Sequence, residues 1–389
     1  MIKSQSFHNF DPARVPSPCF VVDEVAVENN LKILQRVQEE SGAKVLMALK
    51  AFSMFALAPL ISRYLSGTCA SGLYEARLGK EEFSGEVHTY SAAYHEKNLP
   101  EILSISDHVV FNSLGQWQRF APLIEQARTV NPHLQFGLRI NPLHSEGAVP
   151  LYDPCAPGSR LGTPMPQLAG TVPEGITGLH FHTLCEQGYE PLDRTLSVIE
   201  KELGGLLSRL QWVNFGGGHH ITKADYPVDK LINRIREFQD KYQVQVYLEP
   251  GEAIAIHAGV LVSEVLDIIH NVMDIAVLDS SATCHMPDTL EMPYRAEIFD
   301  SGEDGEKAHS YRLGGMSCLA GDVMGDYSFD QPLVIGQRLM FDDMAHYTMV
   351  KTTTFNGVPL PALALWNSET NAVRIIKEFS YTDFKNRLS

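Results

Sequence analysis

The sequence lacks the features of a secreted or membrane protein. Its six cysteines form no CxxC pair and are spread over positions 19, 69, 155, 185, 284 and 318. This spacing disfavours a disulfide framework or a zinc ribbon and indicates a reducing compartment. The N-terminus has no apolar signal-peptide segment, and the longest apolar run, 45–61, is interrupted by Lys50 and Ser53. We therefore predict a cytoplasmic protein that makes no membrane contact.

Basic residues are also in short supply. The chain has 31 Lys and Arg against 47 Asp and Glu, which gives a formal net charge of -16. Such a charge disfavours binding to nucleic acid or to an anionic membrane, and it favours the approach of a cationic small molecule. The length of 389 residues, with 44% hydrophobic residues, suffices for one large domain and a smaller one.

Short β-rich segments alternate with potential helices over the first two thirds of the chain. The strands are predicted near 44–51, 67–71, 87–92, 108–113, 135–142, 175–183, 212–218 and 244–252. Helices are predicted within 55–66, 74–83, 96–104, 114–130, 192–209 and 226–242. This alternation predicts an α/β protein with a closed (β/α)8 barrel. The one long connection, 143–174, is rich in Pro and Gly and indicates a functional or mobile segment.

The alternation ends near residue 258, after which β-rich pieces and turns predominate. The sequence therefore predicts an N-terminal strand within 1–23 that joins the second domain, a barrel over 24–258, and a mostly β domain over 259–389.

Lys50 interrupts the apolar stretch 45–51. A primary ammonium among aliphatic neighbours either extends to solvent or has a lowered pKa. With a lowered pKa it is partly a neutral amine, which can form a Schiff base with a carbonyl compound. Taken alone, the stretch also fits a core strand whose terminal lysine reaches solvent.

Polar residues and glycines occupy the predicted carboxyl ends of the strands, where the active site of such a barrel lies. These residues are Lys50, Ser71, Asn112, Arg139, Asn141, His180, His182, Gly216, Gly217, Gly218 and Glu249. Three consecutive glycines allow backbone N–H groups to approach a phosphate closely, and a tight turn is the alternative. Their spacing does not fit the GxGxxG dinucleotide motif.

His180 and His182 lie two residues apart on one predicted strand, so both imidazoles can face the barrel interior. Such a pair also begins the ligand set of metal-dependent barrel hydrolases, which is the alternative from a different class. Glu249 needs a partner if it is buried, and this could be a metal, Lys50 or a protonated cofactor ring. Cys318 lies in a turn-rich stretch, where a lone cysteine is usually a small apolar residue.

An ordered set of motifs resembles the fold-type III pyridoxal-phosphate decarboxylases, the diaminopimelate, ornithine and arginine decarboxylases with an alanine-racemase-like barrel. Beyond the Lys50 strand, the motifs are CAS (69–71), LRINP (138–142), GLHFH (178–182), FGGG (215–218), EPG (249–251), SC (317–318) and FNG (355–357). Four further stretches resemble the carboxynorspermidine decarboxylases: LYDPCAPGSRLG (151–162), HFHTLCEQ (180–187), EPGEA (249–253) and SATCHMPD (281–288). The resemblance implies removal of the carboxyl group of carboxynorspermidine or carboxyspermidine in polyamine biosynthesis.

The resemblance also implies roles for single residues, with pyridoxal 5′-phosphate as the cofactor and no metal. The cofactor-binding residues would be Lys50, His182, Gly216, Gly217, Gly218, Glu249 and Tyr347. Lys50 would hold the cofactor covalently, and His182 would stack on its ring. The glycines would hold the phosphate, and Glu249 would pair with the pyridinium nitrogen. Cys318 would reach the site from the partner subunit of a homodimer and protonate the carbanion carbon.

Two departures from the family pattern concern charge. Relatives commonly read EPGR where this chain has Glu252, and ornithine decarboxylase has an aspartate where this chain has Leu319. The phosphate therefore lacks one expected cation, and the carboxylate that binds the substrate amine must come from elsewhere. We predict that Glu252, Asp288 and Asp322 bind the ammonium groups of the substrate, with ordinary solvated carboxylates as the alternative.

Other functions remain open from the sequence. A diaminopimelate or other basic amino-acid decarboxylase would share the fold and the cofactor. A racemase would need acid–base groups on both faces of the cofactor ring, and no convincing second group is found. A metal hydrolase built on His180 and His182 would leave Lys50 and the three glycines without a role. A non-catalytic cofactor-binding protein would resemble the barrel alone.

Overall fold

Strands and helices alternate along the middle of the chain. The computed structural model describes residues 3–147 and 149–389; residues 1–2 of the predicted N-terminal segment and residue 148 of the predicted long connection lie outside the described residues. In chain order the strands are β1 (Cys19–Asp23), β2 (Lys44–Ala48), β3 (Gly67–Ala70), β4 (Glu86–Tyr90), β5 (His108–Phe111), β6 (Gln135–Asn141), β7 (Thr163–Pro164), β8 (Gly178–His180), β9 (Trp212–Asn214), β10 (Gln245–Leu248), β11 (Gly259–Asn271), β12 (Met273–Leu278), β13 (Ser301–Gly302), β14 (His309–Gly314), β15 (Val323–Phe329), β16 (Arg338–Asp342), β17 (Ala362–Asn367) and β18 (Ala372–Lys377).

The helices vary from one turn to five. They are α1 (Glu24–Ser41), α2 (Ala58–Ile61), α3 (Leu73–Glu82), α4 (Leu99–Ile105), α5 (Leu114–Arg119), α6 (Ala121–Val130), α7 (Tyr189–Leu207), α8 (Val228–Tyr242), α9 (Glu252–Ala255), α10 (Ala282–His285), α11 (Asp288–Glu291) and α12 (Tyr381–Lys385). Among the described residues, no helix is both long enough and apolar enough to span a bilayer.

The chain divides into two compact units. The first comprises Asn30–Ile254, and the second comprises the residues up to Asn29 together with Ala255–Ser389. We refer to them as the barrel unit and the sheet unit.

The barrel unit is a closed ring of eight parallel strands, which confirms the predicted (β/α)8 fold. The strands follow one another in the order β2, β3, β4, β5, β6, β8, β9 and β10, and β10 pairs again with β2. Strands of such a barrel are covered by helices outside and side chains inside, and they read as apolar runs. In β2, Val45–Ala48 are all buried.

Trp212 closes the interior near the beginning of the barrel strands. It packs in one core cluster with Leu46, Val110 and Tyr247. A methyl group added to Gly178 would lie 2.0 Å from the Trp212 ring, so this strand position must be glycine. The amino-terminal end of the barrel is thus filled, and the carboxyl end is left to carry a site.

Several predicted elements extended too far. The strand predicted over 44–51 ends at Ala48, and the chain then turns out of the sheet although Leu49 and Ala51 stay buried. The helix predicted over 55–66 is a 3-10 turn, Phe55–Leu57, followed by the single turn of α2. In both places the apolar pattern continues beyond the regular element, because residues such as Leu49 and Leu65 are buried although they lie outside it.

The sheet unit is built on β1. This strand lies antiparallel to β11 and parallel to β17 in a sheet of order β13-β15-β14-β12-β11-β1-β17-β18, with β16 pairing with β11. Alternate residues of β1 enter different cores. Phe20 packs with Leu261, whereas Cys19 and Val21 pack with Trp366.

Candidate active site

The turn that carries Lys50 follows β2 and is tied to both neighbouring strand ends. The N–H of Ala48 donates to the carbonyl of Pro250 at 2.9 Å, and the N–H of Leu49 donates to the carbonyl of Cys69 at 3.1 Å. Lys50 itself is exposed. Its amine therefore stands at the carboxyl end of the barrel on a backbone that is fixed on both sides.

Glu249 follows β10 and holds two hydrogen bonds inside the barrel. One carboxylate oxygen accepts from Asn214 Nδ2 at 2.7 Å, and the other lies 3.2 Å from His180 Nε2. Burial raises the pKa of Glu249, but His180 and the hydrogen bond from Asn214 outweigh this and the pKa is lowered. Burial lowers the pKa of His180 despite the adjacent carboxylate. Glu249 is therefore an ionised carboxylate that accepts a hydrogen bond from His180 Nε2.

Asn214 links this carboxylate to the glycine loop, residues 216–218. It is fully buried at the end of β9, and its side-chain oxygen accepts from the N–H of Gly216 at 2.8 Å. Asn214 is not among the site residues predicted from the sequence. It is a polar residue at the end of β9, so the criterion that identified His180 and Glu249 would also have identified it.

The glycine loop passes so close to the segments that follow β8 and β10 that side chains are excluded at Gly217 and Gly218. A methyl group at Gly217 would lie 2.1 Å from the carbonyl oxygen of Glu249, and one at Gly218 would lie 2.0 Å from that of Leu184. The N–H of Gly217 donates to His182 Nδ1 at 3.0 Å. Two of the N–H groups predicted to bind phosphate, those of Gly216 and Gly217, are thus used within the site.

His182 is held as a neutral ring of defined tautomer. Burial lowers its pKa well below the ordinary value, and the cations Lys50 and Arg139 act in the same direction. Because Nδ1 accepts from Gly217, the proton of the neutral ring lies on Nε2. A neutral, oriented imidazole suits stacking on a flat ligand, so the predicted role of His182 stands as a prediction.

Arg139 and Asn112 connect the site to the long connection 143–174. The guanidinium of Arg139 donates to the carbonyl of His182 at 3.2 Å and lies 4.7 Å from the centre of the Tyr90 ring. Tyr90 donates to Asn112 Oδ1 at 2.7 Å, and Asn112 Nδ2 donates to the carbonyl of Arg160 at 2.9 Å. The connection predicted to be functional is therefore bonded to the barrel end.

Glu252, which stands where relatives commonly have arginine, has a histidine partner. Its carboxylate lies 3.0 Å from Nε2 of His220, and both side chains are largely buried. His220 follows the glycine loop by two residues and is not among the site residues predicted from the sequence. Glu252 is therefore not an ordinary solvated carboxylate.

The remaining predicted residues lie in the sheet unit. Cys318 is exposed on the turn between β14 and β15, and its N–H donates to Asn356 Oδ1 at 2.8 Å. Lys351 forms an ion pair with Asp288, and its Nζ lies 6.0 Å from the centre of the Tyr347 ring. The carboxylate of Asp322 is buried and accepts hydrogen bonds within the sheet unit. The roles predicted for these four residues remain predictions.

The metal-hydrolase alternative has no complete ligand set at the barrel end. Throughout residues 3–147 and 149–389, one group of three potential ligands is found, formed by Glu86, His88 and His108. The group involves the first residues of β4 and β5, and its two imidazoles stack with centroids 3.8 Å apart and planes at 17°. Parallel rings do not direct their lone pairs at one ion. Neither His180 nor His182 belongs to the group.

Comparisons with known proteins identify the family of the chain. The family model described as "Pyridoxal-dependent decarboxylase, C-terminal sheet domain" matches residues 19–345. A carboxyaminopropylagmatine decarboxylase of Synechocystis sp. is 46% identical, covering 96% of both chains. A carboxynorspermidine/carboxyspermidine decarboxylase of Campylobacter jejuni is 44% identical, covering 96% of this chain and 99% of its own. One from Herminiimonas arsenicoxydans is 39% identical, covering 96% and 100%.

Solved structures give the same result for the fold. The carboxynorspermidine decarboxylase of Campylobacter jejuni, in complex with norspermidine, matches with a TM-score of 0.88 at 42% identity, covering 96% of this chain and all of that one. Diaminopimelate decarboxylase from Helicobacter pylori matches with a TM-score of 0.80 at 15% identity, covering 98% of both chains, which shows the fold alone.

Pyridoxal 5′-phosphate fits the residues at the barrel end. The ionised Glu249 keeps a lone pair on each oxygen beyond its present hydrogen bonds, which a protonated ring nitrogen can use. Within the part of the chain that the structure describes, the buried Nδ1 of His180 and Nε of Arg139 have no hydrogen-bond partner, so polar groups remain for a ligand. The family model and the relatives that match 96% of the chain show that it belongs to the pyridoxal-dependent decarboxylases, carboxy-lyases that use pyridoxal 5′-phosphate.

Proposed function

We propose that this enzyme removes the α-carboxyl group of a carboxylated polyamine, carboxynorspermidine or carboxyspermidine, to give norspermidine or spermidine. The observation that carries the proposal is the match over 96% of the chain, with a TM-score of 0.88, to a carboxynorspermidine decarboxylase in complex with norspermidine. The formal net charge of -16 also favours a polycationic substrate. Diaminopimelate decarboxylases are much more distant, at 22–23% identity.

The proposed residue roles follow from the geometry of the barrel end. Bound pyridoxal 5′-phosphate supplies an electron sink for the pair left when the carbon–carboxyl bond breaks. Lys50 holds the cofactor through its amine nitrogen, and Glu249 keeps a proton on the ring nitrogen. His180 and Asn214 orient the Glu249 carboxylate and keep it ionised. The neutral ring of His182 stacks on the cofactor. The N–H groups of Gly216 and Gly217 already donate to Asn214 and His182, so the glycine loop receives the phosphate through Gly218.

In the sheet unit, we propose that Cys318 donates a proton to the α-carbon after carbon dioxide leaves. We further propose a homodimer in which each subunit supplies Cys318 to the site of its partner. In support, Cys318 is exposed, and Met316 and Leu319 beside it are apolar and 42% and 46% exposed. Apolar residues exposed together in this way suit an interface between copies of the chain.

A cytoplasmic location remains a prediction from the sequence.

A second candidate substrate is carboxyaminopropylagmatine, because a relative at 46% identity bears that name. This compound ends in a planar guanidinium group, which pairs with a carboxylate through two parallel hydrogen bonds, whereas norspermidine ends in a compact ammonium. The test is to compare kcat/KM for carboxynorspermidine, carboxyspermidine, carboxyaminopropylagmatine, diaminopimelate and ornithine. The proposal requires carboxynorspermidine or carboxyspermidine to be preferred. Preference for carboxyaminopropylagmatine would identify it as the substrate, and preference for diaminopimelate or ornithine would contradict both candidates.

Glu252→Gln is expected to lower kcat/KM for the long cationic substrates by about 10- to 100-fold, because a charged hydrogen bond of about 1.5–3 kcal/mol is lost. Steady-state kinetics on the same substrate panel measure the effect. Ornithine has one side-chain amine and lacks the secondary amine and the longer chain of the carboxylated polyamines, so its kcat/KM should fall much less. Asp288→Asn tests the second predicted carboxylate in the same way, and Glu202→Gln on the exposed surface of α7 is the control. If neither Glu252→Gln nor Asp288→Asn lowers kcat/KM selectively, these residues do not bind the substrate amines.

A further inference from the structure

We propose that Asp322 is a positioning residue that fixes Cys318 for proton transfer, an inference that rests on the role proposed above for Cys318. The two residues belong to the Cys318 turn, residues 314–322, which joins β14 to β15. The N–H of Gly315 donates to the carbonyl of Asp322 at 2.8 Å, which closes the base of the turn. Cys318 lies exposed within it, whereas Asp322 is only 3% exposed.

The Asp322 carboxylate joins the turn to a second segment of the sheet unit. Its Oδ2 accepts from the hydroxyl of Ser317 at 2.5 Å, from the N–H of Ser317 at 3.3 Å and from the hydroxyl of Ser281 at 2.8 Å. Its Oδ1 accepts from the N–H of Thr283 at 3.2 Å. Four donors to one buried carboxylate make a strong, charge-assisted anchor. One of the anchored residues, Ser317, directly precedes Cys318.

The anchor extends into α10 and requires a glycine in the turn. The hydroxyl of Ser281 also accepts from the N–H of Cys284 at 3.1 Å and so caps α10 while it bonds Asp322. A methyl group at Gly315 would lie 2.3 Å from the Asp322 carboxylate, so a side chain there would displace the anchor. The stretches SATC (281–284) and GGMSC (314–318) thus meet at one carboxylate.

Asn356 holds the turn from the other side. Its Oδ1 accepts from the N–H of Cys318 at 2.8 Å, and its own φ of +58° is a left-handed conformation that asparagine tolerates. The backbone of Cys318 is therefore held at its own N–H and, through Ser317, at the preceding residue. A proton donor must lie within hydrogen-bond reach of its target atom, and small misplacements cost large factors in rate. Asp322 supplies this placement through Ser317. This role replaces the binding of a substrate ammonium group that the sequence predicted, because the carboxylate already accepts four hydrogen bonds from the protein.

The first test measures the accessibility of the Cys318 thiol in the full-length enzyme without substrate. Alkylation by iodoacetamide, followed by mass spectrometry of peptides, gives separate rates for each cysteine. Asp322→Asn is expected to raise the Cys318 rate about fivefold, because loss of an anchoring hydrogen bond frees the turn. The buried Cys19 of β1 should stay unlabelled and serves as the internal control that the sheet unit remains folded.

A matched variant separates positioning from general loosening. Asp342 is also buried in the sheet unit, but it accepts from the N–H groups of Lys3 and Ser4 rather than from the Cys318 turn. Asp342→Asn should leave the Cys318 rate unchanged. An equal rise in both variants, or no rise in Asp322→Asn, would overturn the proposal. If Asp322→Asn frees the turn, the alkylation rate of Cys318 rises at every pH. If the variant acts only by removing a charge, the pH midpoint of alkylation shifts instead, and that result would also count against positioning.

The second test asks whether Asp322 acts through Cys318. Asp322→Asn should lower kcat about tenfold in the wild-type background, and it should have no further effect in a Cys318→Ala background. KM should change little in either background. A reduction of equal size in both backgrounds would show that Asp322 acts elsewhere. If Asp322→Asn does not fold, Ser317→Ala removes a donor while it leaves the carboxylate in place, and the same outcomes apply.

These results distinguish failure of the inference from failure of the proposed function. If Cys318→Ala alone retains wild-type turnover, the proposed proton donor is wrong whatever Asp322 does to labelling. If Cys318→Ala lowers kcat but Asp322→Asn changes neither the alkylation rate of Cys318 nor kcat, Cys318 is the proton donor and Asp322 does not position it.

Discussion

Replacing Lys50 with alanine is expected to abolish both the yellow colour of the purified protein and its decarboxylase activity. The amine holds the cofactor covalently, and alanine leaves nothing to replace that bond. Removing a group that bonds covalently to the reacting system lowers kcat by about 10⁴-fold or more. Release of carbon dioxide measures activity, and the absorption band of the bound cofactor measures occupancy.

Lys44→Ala is the matched control for this experiment. Lys44 is the first residue of the same strand, β2, and forms an ion pair with Glu86 rather than standing at the barrel's carboxyl end. The control variant should remain yellow and active. An active Lys50→Ala enzyme would exclude Lys50 as the cofactor-bearing residue. A colourless wild-type protein whose activity follows added zinc would revive the metal-hydrolase alternative.

Cys318→Ala is expected to bind the cofactor normally and to decarboxylate about 10²- to 10³-fold more slowly. The thiol is proposed to donate the proton that completes the reaction, and a positioned general acid contributes a factor of this size. The methyl group of alanine leaves no proton to donate. Normal absorption with slow turnover is the diagnostic combination, and unchanged turnover would remove Cys318 from the mechanism.

Mixing the two inactive variants tests whether the sites are shared between subunits. If Cys318 serves the partner's site, a dimer of one Lys50→Ala and one Cys318→Ala chain contains one intact site. Random exchange of subunits should then restore about a quarter of the wild-type activity. No recovery after verified exchange would place Cys318 at the site of its own chain.

The barrel and the positions around its carboxyl end could be predicted because they depend on local patterns. Apolar runs alternated with helical periodicity, and polar residues interrupted those runs at strand ends. This identified Lys50, His180 and Glu249, and the structure bonds His180 to Glu249. The strand ends themselves were placed too late because buried loop residues, such as Leu49, continue the apolar pattern.

The partners of the acidic residues could not be predicted, because they depend on tertiary packing. Glu252 and His220 are separated by 32 positions and meet only after the barrel closes. Asp322 was predicted from the sequence to bind a substrate ammonium group, but packing buries its carboxylate against hydroxyl and N–H donors from two segments. Nothing in spacing or periodicity carries that information.

The position of β1 has a consequence for biosynthesis. Cys19 of β1 lies opposite Val262 in β11 and Ala362 in β17. A ribosome adding about 5–20 residues per second delivers the first partner strand roughly 10–50 s after β1, and the second later still. Until then both edges of β1 lack their partner strands, and unpaired edges of an apolar strand can pair with strands of other chains. The barrel unit ends at Ile254, whereas the sheet unit cannot be completed until translation has passed β17, so β1 waits through the synthesis of the whole barrel for its partner strands.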